Sequence, residues 1–170
     1  MNTINYRWCM PSDAPLLERF TELFVSNADN TYISHGEVID GRANNMNEWK
    51  GNIKEIMGGE FSMALHSDFD SSDIFTKLAI ARRDDAIIAL ALVQFYPQTK
   101  IAILCDIVVD APLRGQKIGE AMLGWIETEV KVWGTKFIFL ESGKNNHSAH
   151  HFFEQAGFKG VSIVMAKEIK

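Results

Sequence analysis

Apolar residues along this chain recur with two periods, near 3.6 and near 2, and the changes of period divide it into elements. Residues 3–9 read as a first strand. Ser12-Asp13-Ala14-Pro15 has the composition of a helix start, with Ser12 as N-cap and Pro15 in the first turn. Leu16, Leu17, Phe20, Leu23 and Phe24 continue it at helical spacing to about Asn27. Residues 29–45 are polar and interrupted by glycine, as a loop or a broken helix would be. Met46, Trp49, Ile53, Ile56 and Met57 predict a second helix, closed by Gly58-Gly59.

The middle of the chain turns to strands. Residues 74–81 and 86–95 read as a hairpin through the polar turn Arg82-Arg83-Asp84-Asp85. Residues 101–109 are apolar on both faces, the pattern of a central strand buried on both sides. Ile118, Ala121, Met122, Trp125, Ile126 and Val130 then form a helical stripe, and Trp133 extends it. Residues 136–141 predict a strand, 148–155 a helix and 161–169 a last strand. The order β-α-α-β-β-β-α-β-α-β implies an α/β protein with a mixed sheet and helices on its faces. No repeat or linker divides residues 1–170, which read as a single domain.

Composition narrows the classes. With 46% hydrophobic and 23% charged residues the chain has the make-up of a globular protein. Its longest apolar run, residues 86–93, is far too short for a membrane span, and the N-terminus lacks a basic-then-apolar leader, so a cytoplasmic protein is expected. Cys9 and Cys105 lie in predicted strands without metal-ligand spacing and read as buried thiols of a reducing compartment. The net charge of −5 is uneven: residues 1–60 hold nine acidic and five basic side chains, residues 101–170 eight of each. No clustered basic groove for nucleic acid emerges.

The junction between the central strand and the next helix carries the most chemistry. Asp110-Ala111-Pro112-Leu113 stops the strand, and Arg114-Gly115-Gln116-Lys117-Ile118-Gly119 opens the helix. The first amides of a helix are unpaired at a positive dipole end, so they suit an anionic phosphate. Gly115 and Gly119 let a phosphate approach the backbone, and Arg114 and Lys117 add positive charge. A GxxxxGK[ST] loop and a GxGxxG turn after the first strand are both absent, which disfavours a nucleoside triphosphatase or a Rossmann dehydrogenase.

This junction resembles the [Q/R]-x-x-G-x-[G/A] motif of the GNAT superfamily of N-acetyltransferases, matched by Arg114 and Gly119, with Lys117 in place of the first glycine. A second stretch, Asn146-x-x-Ala149-His150-x-Phe152-Phe153-Glu154-x-x-Gly157-Phe158, is similar to the downstream N-x-x-A-H-x-F-Y-E-x-x-G-F signature of the same family. The resemblance implies a mixed, mostly antiparallel sheet of six to seven strands with a splayed parallel pair, flanked by about four helices. It implies acetyl-CoA as acyl donor, bound by the strand Ile107, Val108 and Val109, by residues 114–119, and by Asn146 and Phe153. The implied reaction is direct attack of a primary amine of a small molecule or peptide on the thioester in a ternary complex. Homodimers are frequent in such a family.

That reaction needs a neutral amine, a polarised carbonyl and a protonated leaving thiol. Asp106, a carboxylate amid apolar neighbours on the central strand, is the candidate base. Glu37 and His35 are lesser candidates and read as surface residues. Where the family commonly has a tyrosine acid, this chain has Phe153; His150, three residues earlier, is the nearest titratable substitute. The alternative is a catalytically weak or inactive acyl-CoA-binding module. His147 and His151 are four apart but have no third ligand, so no metal site is expected. Trp125 and Trp133 read as core. Acidic Glu37, Asp40 and Glu48 point to a cationic acceptor.

Overall fold

The computed structural model describes residues 3–68 and 73–169. Packing groups the chain into two compact units, one of Met1–Asp29 with Gly51–Glu141, the other of Asn30–Lys50 with Ser142–Lys170.

The first unit is built on a five-stranded sheet in the order β1-β4-β5-β6-β7: β1 is Ile4–Trp8, β4 Phe75–Arg83, β5 Ala86–Tyr96, β6 Ile101–Val109 and β7 Phe137–Leu140. All neighbours are antiparallel except β6 and β7, which run parallel. A parallel pair needs a crossover, and α4 (Ile118–Val132) supplies it. Along β4 and β5 one face carries Ala79, Ala81, Ala89 and Ala91, the other Leu78, Ile80, Leu90 and Leu92. All are buried, so both faces of the sheet are covered. Helix α1 (Leu17–Asn27) and α3 (Ile53–His66) pack on each other and against β4, β5 and β6. The aromatic face of the sheet meets α4. Trp8 lies 5.0 Å from Trp125 and 5.3 Å from Trp133, and Trp133 lies 4.5 Å from Phe95. The indole of Trp8 donates to Glu129 at 3.0 Å, so its polar edge is satisfied.

Several boundaries differ from the sequence expectation, each for a local reason. A 3-10 turn, Pro11–Leu16, precedes α1, with Met10 rather than Ser12 at its N-cap, and the Met10 N–H donates to Asp13 Oδ2 at 2.8 Å. Arg7 holds that carboxylate in a fork at 2.6 and 2.7 Å. Gly58-Gly59 does not stop α3. Two helical glycines cost about 1 kcal/mol each, but Met57, Phe61, Ala64 and Leu65 are buried along one stripe and outweigh them. At Gly58 a Cβ would sit 3.5 Å from Thr21 Cγ2, an ordinary van der Waals contact, so the packing of α3 on α1 does not require glycine there. Cys9 is buried and its thiol is pushed up to about 12, whereas Cys105 is half-buried.

The second unit contains α2 (His35–Ile39), a ribbon of β2 (Ala43–Asn45) and β3 (Glu48–Trp49), and α5 (His147–Gln155). Met46 and Trp49 therefore belong to a ribbon and not to the second helix. Ser34-x-x-Glu37 is a capping box: Glu37 accepts from Ser34 N–H and Oγ, both at 2.6 Å, and Gly36 N–H donates to Ser34 Oγ at 3.2 Å. Gly143 passes under the Thr31 and Ile33 carbonyls, where any Cβ would collide. Residues 161–169 form no strand. Their alternation needs a neighbouring edge to take its amides and carbonyls, and no described strand pairs with them; Ile163 is 88% exposed. Among the described residues the main sheet thus has five strands, not six or seven, and five α-helices accompany the sheets.

Candidate active site

Strand β6 changes character halfway. Its parallel register with β7 runs from Ile101–Phe137 to Leu104–Leu140 and stops. On the other edge Leu92 pairs with Asp106 and Val93 with Leu104, so Cys105 is an extra residue, a β-bulge. The bulge resets the alternation: Asp106 shares its face with Leu92, opposite to the face of Val93 and Phe95. Asp106 is 1% exposed, the most buried carboxylate among the described residues.

Beyond the bulge the backbone directions follow from the antiparallel ladder. Asp110 N–H donates to Ile88 C=O at 3.0 Å, so the register Val109–Ala89 is a non-hydrogen-bonded pair and Val108–Leu90 a hydrogen-bonded one. The amides and carbonyls of Ile107 and Val109 therefore turn to the edge that β7 has left. Val108 does not share this: its backbone faces Leu90 and its side chain is buried. The three consecutive residues grouped by sequence thus divide into two edge-facing residues and one committed to the sheet.

A short 3-10 turn, Ala111–Leu113, carries the chain from β6 to α4. Gly115 has φ +77° and Lys117 φ +62°, both left-handed. Glycine adopts that conformation freely, a residue with a Cβ at a cost. A Cβ at Gly115 would meet no atom within 4 Å, so its outer side is open. Lys117 is the N-cap of α4 yet makes no side-chain capping bond. Uncapped, the first amides of α4 face outward at the positive end of a fifteen-residue helix. Gly115, Gln116 and Lys117 are exposed, Gly119 is half-buried, and Ile118 anchors the turn in the core at 2% exposure.

Arg114 does not point its guanidinium outward unattached. Nε donates to Val109 C=O at 3.1 Å and Nη2 to Asn27 C=O at 3.1 Å. Asn27 Oδ1 accepts from Ala111 N–H at 2.7 Å. Asn27, the last residue of α1, escaped the sequence reading; an asparagine closing a helical stripe was the one signal for it.

The residues expected from the downstream motif lie in the second unit. Asn146 caps α5, its Oδ1 accepting from Ala149 N–H at 3.3 Å and from Ser148 Oγ at 3.3 Å. Phe153 is buried against Phe152 and Phe158, ring centroids 5.1 and 5.7 Å away. His150 is half-buried, its ring 6.0 Å from that of His147. Glu37, expected at the surface, is 7% exposed and spent on Ser34, with Arg42 Nη1 at 4.0 Å. His35 is half-buried at the start of α2. Asp40 and Glu48 are exposed. Trp49 packs on Tyr32 at 6.1 Å.

The parallel pair of β6 and β7 within an otherwise antiparallel sheet is the topology the sequence resemblance implied. The family model of the Acetyltransferase (GNAT) family matches residues 45–158. The chain belongs to that family.

An aminoalkylphosphonate N-acetyltransferase of Salmonella typhimurium is 37% identical over 54 residues, 32% of this chain; the match spans about a third (35%) of that protein's length. Solved structures share the fold. A transcriptional regulator from Bacillus halodurans C-125 superposes with a TM-score of 0.67 at 19% identity, covering 98% of this chain and 100% of its own. An aminoglycoside acetyltransferase from an uncultured soil metagenomic sample, in complex with sisomicin, has a TM-score of 0.64 at 14% identity, covering 99% of this chain and 98% of its own. No helix among the described residues is long and apolar enough to cross a membrane.

Proposed function

We propose that the protein is an N-acetyltransferase that moves an acetyl group from acetyl-CoA to a primary amine of a small molecule or peptide, by direct attack in a ternary complex. Residues 1–170 act in this reading as one catalytic domain, supported by a family match that runs through both packing units. The observation that carries the proposal is the edge of β6 at Ile107 and Val109, past the end of the described pairing with β7, continuous with the uncapped, left-handed start of α4.

The edge-facing amide and carbonyl of Ile107 and the amide of Val109 hydrogen-bond an amide-bearing arm laid along the strand, while the Val109 carbonyl stays with Arg114. The amides of residues 115–119 receive the pyrophosphate, and Lys117 adds charge beside it. Val108 holds this edge in place through Leu90. Acetyl-CoA supplies the acyl group as a thioester. Asp106 takes the proton that the acceptor ammonium must lose before its nitrogen can attack, and its burial keeps that carboxylate out of bulk water. The nitrogen then forms the amide bond as the bond from the acyl carbon to sulfur breaks. The motif assigns Asn146 and Phe153 to cofactor contact; with no tyrosine at 153, His150, the nearest titratable side chain on that helix, is the candidate to protonate the leaving thiolate. The acidic balance of residues 1–60 and the amine acceptors named for the relatives favour a cationic amine, although Glu37, engaged by Ser34, does not contribute to recognising it.

One observation favours a second reading, an acyl-CoA-binding module with little turnover: Phe153, in the place of the family's tyrosine acid, is packed between two phenylalanines and has no hydroxyl. Release of free thiol from acetyl-CoA across a panel of amines separates the two. The enzyme reading predicts amine-dependent release that falls about a hundredfold in kcat for Asp106→Asn, with donor affinity unchanged. Donor binding with no release on any amine, and none restored by Phe153→Tyr, would leave the binding module.

A further inference from the structure

We infer that Asn27 and Arg114 form a clasp that positions the donor cradle, and that the Arg114 guanidinium pins the loop instead of contacting phosphate. The inference rests on the reading of the β6–α4 junction as the acyl-CoA site and adds a residue outside both family motifs. Asn27 Nδ2 donates back to Leu23 C=O at 2.8 Å, which fixes the plane of its amide. Its Oδ1 is thereby aimed at the loop, where it accepts from Ala111 N–H at 2.7 Å and from Arg114 Nη2 at 3.4 Å. The Asn27 carbonyl accepts a further bond from Arg114 Nη2 at 3.1 Å, and Arg114 Nε donates to Val109 C=O at 3.1 Å.

These bonds take both edges of one residue and two donors of another. A guanidinium is planar, so two fixed donors fix its whole orientation. Between the two handles, at Ala111 and Arg114, the turn closes on itself through Leu113 N–H to Asp110 C=O at 2.9 Å and Arg114 N–H to Ala111 C=O at 3.2 Å. The left-handed Gly115 follows directly, so the clasp sets the point from which the amides of residues 115–119 start. Asn27 is accordingly a positioning residue. Arg114 spends its geometry on Val109 and Asn27, leaving the phosphate to backbone amides and Lys117.

The test is the affinity of the full chain for CoA and, separately, for pantetheine, which lacks the pyrophosphate, by titration calorimetry. Asn27→Ala should weaken CoA about tenfold and leave pantetheine unchanged, a split that a general loss of structure would not give. Arg114→Ala should do the same, and the double variant should be no weaker than either single, since both remove one clasp. Arg114→Lys keeps the charge but cannot fork, so it should behave as Arg114→Ala. Asn27→Asp keeps the acceptor toward Ala111 and Arg114 and should recover most of the affinity. An unaffected Asn27→Ala, or an Arg114→Lys that binds CoA as the wild type does, would overturn the clasp while leaving the site reading intact. A wild-type chain that binds pantetheine and CoA equally weakly would overturn the site reading and the clasp with it.

Discussion

At its start α4 is uncapped and preceded by two exposed, left-handed residues, Gly115 and Lys117; two to four turns later the helix and its C-cap set Trp125, Glu129 and Trp133 against Trp8 and Phe95. The first end leaves backbone donors unspent and carries a residue in a costly conformation. The second satisfies even the indole N–H of Trp8. A binding site for an anion requires amides that the protein itself does not use, and such amides do not stabilise the fold. The aromatic end, together with the Arg7–Asp13 fork that also donates to the Trp8 carbonyl, compensates for what the cradle withholds.

The largest effect should come from the packed end. Trp8→Ala removes the ring shared by Trp125, Trp133 and Phe95 and strands Glu129, and is expected to cost about 3 kcal/mol, read as a shift of the urea midpoint. Donor affinity measured on the folded fraction should stay as it was. Loss of both would show that the two ends are not separable.

Asp13 comes next. The Arg7 guanidinium, aided by the Met10 amide, holds its carboxyl below the ordinary aspartate value against the opposing pull of burial. The folded state therefore binds fewer protons than the unfolded chain near the ordinary value of about 3.9. The contribution is whole above that pH and disappears as pH falls through the folded value. Asp13→Asn should lose about 2 kcal/mol at neutral pH and show a shallower decline of unfolding midpoint on acidification. A decline as steep as the wild type's would remove Asp13 from the account.

The smallest effect belongs to the cradle and has the opposite sign. Lys117 sits at φ +62° where the family motif has glycine. Lys117→Gly should relieve strain and raise stability, by no more than about 1 kcal/mol. It also removes a positive charge, so donor affinity should fall slightly. Destabilisation would mean that Lys117 packs in a way its backbone does not reveal.

These contrasts also show what could be read beforehand. The central place of β6, the stripe of α4 and the two motifs were legible because period and spacing are local properties; β6 is not buried on both faces as its apolar run implied, since Ile101, Ile103, Cys105, Ile107 and Val109 are only half-buried. Lys117 was visible as a departure from the motif, but its left-handed backbone was not. The Cys105 bulge, which separates Val108 from Ile107 and Val109, depends on pairing with β5 and leaves no mark in composition. Ser34-x-x-Glu37 was written in the chain as a capping box, yet the polar, glycine-containing surroundings masked it and hid the burial of Glu37. Gly58-Gly59 misled because the buried stripe of Met57, Phe61, Ala64 and Leu65 overrode a local stop signal. The stretch 161–169 misled in the reverse way, a good local pattern without a pairing edge. Asn27 closes a helical stripe visibly, but its partners, 84 and 87 positions away, could not be read from sequence.

Titration of acetyl-CoA into the wild type and Gly115→Val tests the placement of the donor at the start of α4 most directly. A β-branched side chain at φ +77° reshapes the turn and puts bulk on its open side. The account predicts saturable one-to-one binding by the wild type and at least about tenfold weaker binding by the variant, with an unfolding midpoint lowered by the strain alone, about 1–3 kcal/mol. Equal affinity in the two proteins, or no binding by the wild type, would contradict it.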